Sequence, residues 1–255
     1  MSGGYRQDTA PRFPFPEKFI LRSRGSQSNP RPLADDVIPT DQDSWRRLFP
    51  TSNPLNGILD DIQTALNHAK MRSARNELWI KVEFASLWID PISWKLLGLK
   101  RDVDPNDSPS IIQEATRLSI ILFFGEIRRK CGALAVSTLV HMKKHKALMI
   151  SVGMDADWSM AQPLLLWVIF FGFFESWQQP EYDWYLGTLV RAANNMRLLS
   201  WDEVVNSVRS FLWLGPIHNE RLGKFRESFE SEMGTLADSS ISTSSSSGDE
   251  QSPSP

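Results

Sequence analysis

The amino-acid sequence predicts an all-α protein: an irregular multi-helix array flanked by disordered N- and C-terminal segments. Three observations carry that expectation. Between Pro54 and Gly234 apolar residues recur at three- and four-residue steps, the spacing that lines one face of a helix. Neither a strand-rich region nor an internal repeat of fixed period interrupts this pattern, so a solenoid is not expected. The two ends differ in kind. Residues 1–53 are rich in Pro, Ser, Arg and Asp, with Phe13-Pro-Phe-Pro16 and Asn29-Pro-Arg-Pro32 breaking any regular ladder, and residues 235–255 are dominated by serine. Such composition cannot offset the entropy of ordering the backbone, so a linker and a tail are expected around a helical body at 54–234.

Each helix has a local reason. Leu55, Ile58, Leu59, Ile62, Leu66 and Ala69 form one stripe over 55–71. The segment 76–99 is aromatic-rich, with Trp79, Phe84, Trp88 and Trp94, and Pro91 is expected to divide it. Leu78–Val82 nearly alternates, and a short strand competes there. A Pro-containing acidic loop, 101–109, ends in Ser108-Pro109, an N-cap followed by proline at the first helical position. The helix that follows, 110–130, closes on Arg128, Arg129 and Lys130 before Gly132, as helix C-termini do. Further helices are expected at 134–150, 158–178, 181–198, 200–213 and 216–233. The run Leu164–Phe174 is apolar on all sides, about half of the ~20 residues needed to span hydrocarbon, and so reads as a core helix. At 200–213, Ser200 and Glu203 form a capping box, and Trp201, Val204, Val205, Val208, Phe211 and Leu212 share a face.

Composition restricts function. Ten tryptophans and fourteen phenylalanines supply a large core. A net charge of −2 provides no field to hold a nucleic-acid backbone, so DNA is expected to be reached only indirectly. The single cysteine, Cys131, cannot build a disulfide framework or a multi-cysteine metal cluster, which points to a reducing compartment. Met1–Arg12 lacks the apolar core of a signal peptide, which makes the glycosylation pattern at Asn106-Asp-Ser108 a chance occurrence.

Few constellations suggest chemistry. His141 and His145 have the four-residue spacing of a zinc pair, but Met142 stands where a metalloprotease has its glutamate, and Lys143, Lys144 and Lys146 crowd the site with cations. A solvated basic helix face is the simpler expectation. Asp60-Asp61 resembles the start of the aspartate-rich magnesium motif of helical isoprenoid enzymes, yet Thr64 occupies the third acidic position. Glu126 and Glu175 each end an apolar run; intrahelical pairing with Arg129 and Lys130 accounts for the first, and a polar terminus for the second. Cys131, beside three cations, reads as a structural thiol. Ser244–Ser247, Ser252 and Ser254 are candidate phosphoacceptors. No catalytic residue, metal ligand or cofactor is expected.

Three segments together suggest a family. Leu118–Phe123 running into Glu126-Ile-Arg-Arg129, then Pro163-Leu-Leu-Leu-Trp167 followed by Gly172 and Glu175, then Ser200-Trp-Asp-Glu-Val through Phe211-Leu-Trp213, resemble the C-terminal part of the fungal-specific transcription factor domain. The similarity spans roughly residues 55 to 230. It implies a regulatory helical domain in the nucleus, partnered by other transcription regulators or by itself, with a small-molecule effector as a further expected partner and no membrane. The family's zinc-cluster DNA-binding head needs six cysteines, and this chain has one. Trp167, Trp177, Trp184 and Trp213 are expected to anchor the helices. Two rivals stand beside this reading: a helical isoprenoid-type enzyme, and a helical adaptor outside transcription.

Overall fold

The computed structural model describes Phe49 and residues 53–74, 82–99, 103–132 and 138–244. Of the expected linker at 1–53, residues 1–48 and 50–52 lie outside the described residues, as do 78–81 of the strand alternative at 78–82 and the serines beyond 244. In chain order the helices are α1 (Pro54–Ala74), α2 (Val82–Phe84), α3 (Asp90–Gly98), α4 (Ser108–Lys130), α5 (Leu139–Leu148), α6 (Gln162–Glu175), α7 (Tyr182–Asn195), α8 (Trp201–Arg209) and α9 (Gly215–Ser244). π-Helical turns at Ala85–Ile89 and Met149–Gly153 complete the set, and no strand occurs among the described residues.

α6 is the axis of the molecule. Leu166, Trp167, Val168, Ile169, Phe170, Phe171, Phe173 and Phe174 are all fully buried, as an all-apolar helix requires. α4, α7 and α8 pack around it, and one contiguous core runs from Phe49 and α1 through to Phe229 of α9. Rings interlock at the centre: Phe123 meets Phe171 edge-on at 5.2 Å, Trp167 meets Phe211 at 4.9 Å, and Phe170 stacks near Trp201 at 5.9 Å. Gly172 is required by close approach, since any β-carbon there would overlap the ring of Tyr185 on α7.

Several boundaries differ from the sequence reading, each for a visible reason. Pro91 does not divide its segment: the chain is helical from Val82 to Gly98, and the preceding π turn, where Asp90 N–H reaches Ala85 C=O, moves the backbone before the proline ring arrives. Asp107, not Ser108, caps α4, its carboxylate accepting from Ser110 N–H at 3.1 Å, while the Ser108 hydroxyl accepts from Asp157 N–H. α6 spans 162–175, narrower than expected, because Trp158 folds back to donate its indole N–H to Gly153 C=O at 2.7 Å. The capping box of α8 is present, with Ser200 and Glu203 each accepting from the other's backbone N–H. α8 ends early, at Arg209, because Phe211–Leu214 leave the helix to bury all four side chains and to offer Leu212 C=O to the Trp167 indole at 3.0 Å. α9 continues to Ser244, through the start of the expected tail. Phe225, Phe229, Met233 and Leu236 carry its apolar stripe across Thr235.

Candidate functional site

Two clusters of polar side chains inside this apolar body are seated on α4. The first begins at Ser119, embedded between Leu118 and Ile120 and fully buried. Its hydroxyl lies 3.1 Å from His145 Nε2 on α5, and the other imidazole nitrogen, Nδ1, lies 2.8 Å from the Tyr185 hydroxyl on α7. Tyr185 also reaches Met142 C=O at 3.1 Å, and Ser119 reaches the carbonyls of Ala115 at 2.9 Å and Val168 at 3.3 Å. One consistent assignment has Ser119 donating to Nε2, Nδ1–H donating to Tyr185, and Tyr185 donating to Met142 C=O; in the opposite tautomer Tyr185 donates to Nδ1, Nε2–H donates to Ser119, and Ser119 donates to Ala115 C=O. Burial pushes the His145 pKa down to about 3, and burial with a smaller contribution from the Glu181 charge raises that of Tyr185. The three groups are therefore neutral at physiological pH.

A serine, a histidine and a third hydroxyl in hydrogen-bonded order have the outline of a nucleophile, base and orienting group. Here all three are 0 % exposed, so the order serves packing: it ties α4, α5 and α7 together through the interior. The arrangement satisfies each buried hydroxyl and both ring nitrogens.

The second cluster is ionic and lies two turns further along α4. Glu126 accepts from Arg129 at 2.8 Å and from Arg221 of α9 at 2.9 Å. Arg129 also pairs with Glu175 at the end of α6, whose other oxygen accepts from the Thr138 hydroxyl at 2.7 Å. Arg221 in turn donates to Phe174 C=O at 3.1 Å and sits 4.5 Å above the Phe174 ring. Two carboxylates thus meet two guanidiniums in a closed, charge-balanced group joining α4, α6 and α9. Burial would raise the Glu126 pKa, but the hydrogen bonds and charges of Arg129 and Arg221 outweigh it and hold the carboxylate below its ordinary value.

The sequence-marked residues now have places. His141 and His145 are not on a solvated face: both are buried, with Met142 between them, while Lys143 and Lys144 carry the exposed side of α5. The lysine run is the solvated face that was expected; the histidines belong to the core, because a four-residue step keeps them on one side of the helix. Asp61 pairs with Lys95 of α3, and Asp60, one position earlier, is exposed. Glu126 pairs with Arg129 as expected, but Lys130 turns instead to Glu220 of α9. Burial pushes the Cys131 thiol up to about 11, the state of an inert structural cysteine. Among the tryptophans, Trp167 and Trp213 are buried and Trp177 and Trp184 partly so; Trp201, almost completely buried, is an equal anchor.

Sequence reasoning missed Ser119, Tyr185, Thr138 and Arg221 as cluster members. A polar Ser119 inside an otherwise apolar run was the one available signal, since such a residue needs a partner once buried. The described residues contain no group of three or more His, Cys, Asp or Glu side chains placed to hold a metal ion. Among them no helix is long and apolar enough to cross a membrane. No family model, curated protein or solved structure matches the chain.

Proposed function

We propose that this chain is a transcription regulatory domain of the kind its three-segment resemblance implies, acting in the nucleus through protein contacts, without a bond-making step. One observation supports the reading above others. The first two resembling segments fall on α4 and α6 and the third on α8 and the turn after it, and α4 and α8 each pack on α6. Residues of these segments meet their neighbours there: Phe123 lies against Phe171 of α6, Trp201 against Phe170 of α6, Trp167 donates to Leu212 C=O, and Arg129 pairs with Glu175. With a net charge of −2 the chain would reach a promoter through another protein, either a regulator with its own DNA-binding head or a second copy of itself.

The test is a tethering assay in fungal cells. The full chain fused to an unrelated DNA-binding domain is expected to change reporter output several-fold, and the untagged chain to concentrate in the nucleus. A folded, abundant fusion that leaves the reporter unchanged, together with cytoplasmic location of the chain, would reject the proposal.

A further inference from the structure

The outer side of α5 carries a pattern that the interior of the fold does not use. From Leu139 to Gly153 the chain is helical without a break, α5 passing directly into the π turn Met149–Gly153. Its inner side is committed to the core. His141, Met142, His145 and Met149 are buried, α4 and α6 pack on α5, and α7 meets it through Tyr185 at His145 and Trp184 beneath Lys146. The outer side faces solvent: Val140, Lys143, Lys144, Ala147, Ile150 and Met154 are all exposed.

Those exposed positions are ordered. Val140, Lys143, Ala147, Ile150 and Met154 advance by three, four, three and four residues, the a and d spacing of a seam between two helices. In that register the buried His141, Met142, His145 and Met149 take b, c and f positions, so the helix shows one face to its own core and a second seam to water. Lys144 and Lys146 fall at e and g, the flanks from which charged side chains reach a facing helix. Val140 is 41 % exposed, Ile150 58 % and Met154 39 %, and these are three of the eight large apolar side chains exposed among the described residues. Single exposed apolar side chains are ordinary; three at seam spacing on one helix are not.

Charge selects what can cover this face. Residues 139–148 hold three lysines and no acidic residue, and Asp155 stands just past the end of the stripe. A second copy would set three cations and one carboxylate against the same set, which leaves net repulsion. Nucleic acid would engage the lysines but leave Val140, Ile150 and Met154 in water.

We propose that the outer face of α5 and its π turn, from Val140 to Met154, is a docking surface for an acidic amphipathic helix of another protein. The partner sets large apolar side chains at a three–four repeat against Val140, Ala147, Ile150 and Met154, and carboxylates against the three lysines. Lys143 lies within the seam itself, so a carboxylate opposite it fixes the register of the pair. At about 1.5 Å per residue the stripe is about 21 Å long, which matches two heptads of a partner. This rests on the reading that the protein works by protein contacts, and names one contact and its chemistry.

Two fluorescent three-heptad peptides test it on the full chain, both with leucine at every a and d position, one with glutamate and the other with lysine at e and g. The glutamate peptide is expected to bind at least about ten-fold more tightly than the lysine peptide at low salt, and to lose most of that advantage in 1 M salt. Ile150→Asp, a change at an exposed position, should leave the unfolding midpoint in place and weaken binding of the glutamate peptide about ten-fold. Lys143→Glu should weaken it about five-fold and strengthen binding of the lysine peptide. Equal affinity for the two peptides on the wild-type chain overturns the proposal whether or not either variant folds, and so does glutamate-peptide binding that Ile150→Asp leaves intact. A DNA duplex that binds through Lys143 while neither peptide binds would assign the face to nucleic acid and overturn the partner helix. A concentration-dependent dimer abolished by Ile150→Asp would overturn it in favour of a second copy. Peptide binding beside a silent tethering assay rejects the transcriptional reading alone; a reporter response from a chain that binds neither peptide rejects the docking face alone.

Discussion

Ser119 and Glu126 sit seven residues apart on the same helix, yet the polar groups around them solve burial in opposite ways. Around Ser119 every group is neutral and 0 % exposed: a hydroxyl, an imidazole and a phenol pass hydrogen bonds along a chain. Around Glu126 the groups are charged, and one of them, the Arg129 side chain, remains 35 % exposed. The difference teaches that the partners within reach select the chemistry. An unpaired charge at the Ser119 position would carry a desolvation cost that no nearby counter-ion offsets, whereas the buried carboxylates of Glu126 and Glu175 have two guanidiniums beside them and four charges can cancel one another.

The largest effect should come from breaking the neutral cluster through its packing. Gly172→Val would drive the Tyr185 ring out of its place and its hydroxyl away from His145, for a loss of about 3 kcal/mol or more in urea unfolding. His145→Ala should cost somewhat less, about 2–3 kcal/mol, mainly as a cavity, since Ser119 and Tyr185 retain carbonyl acceptors in Ala115 and Met142. A variant as stable as wild type would show that the three-helix link contributes no stability.

Acid separates the two clusters on a pH axis. His145 and His218 are held neutral by burial, with pKa values pushed down to about 3 and about 4 from 6.5. The unfolded chain therefore takes up these protons first, and stability falls as pH drops below about 6.5, by about 2 kcal/mol per histidine at pH 5. His145→Gln should accordingly lose about 2 kcal/mol less than wild type between pH 7 and pH 5. Glu126 acts in a lower window. Its depressed pKa stabilises the fold above the ordinary value of 4.5, and that contribution disappears as pH falls through the folded value. Glu126→Gln should thus cost about 1–2 kcal/mol at pH 7 and leave the slope between pH 7 and pH 5 unchanged. Parallel pH–stability curves for the two variants would erase the distinction between the clusters.

The smallest effect belongs to the exposed edge of the ionic cluster. Lys130→Ala, which removes the pair with the half-exposed Glu220, should change stability by about 0.5 kcal/mol or less, and 1 M salt should abolish the difference. A larger loss would mean that Lys130 belongs to the balanced group, not to its rim.

How much was legible from residues alone follows from the range of each interaction. Helix type and order, the all-apolar character of α6, the capping box of Ser200 and Glu203, and the pairing of Glu126 with Arg129 arise between residues at most a few turns apart, and hydrophobic period or local spacing records them directly. The end of α8 depends on a distant partner, since the Trp167 indole claims Leu212 C=O, and α9 runs on past 233 with Met233 and Leu236 packed against the core. The π turn ahead of Pro91 likewise removed a break that the proline alone predicts.

What the sequence determined by itself was an all-helical body with an aromatic interior, because periodicity and side-chain volume are local properties. Tertiary structure alone decided that His145 faces Ser119 and Tyr185 across 26 and 40 residues of chain, and that Arg221 closes the charge on Glu126 from 95 residues away. Those pairings carry no periodic trace. A buried polar group requires some partner, but only the packing of α4, α5, α7 and α9 determines which one lies within reach.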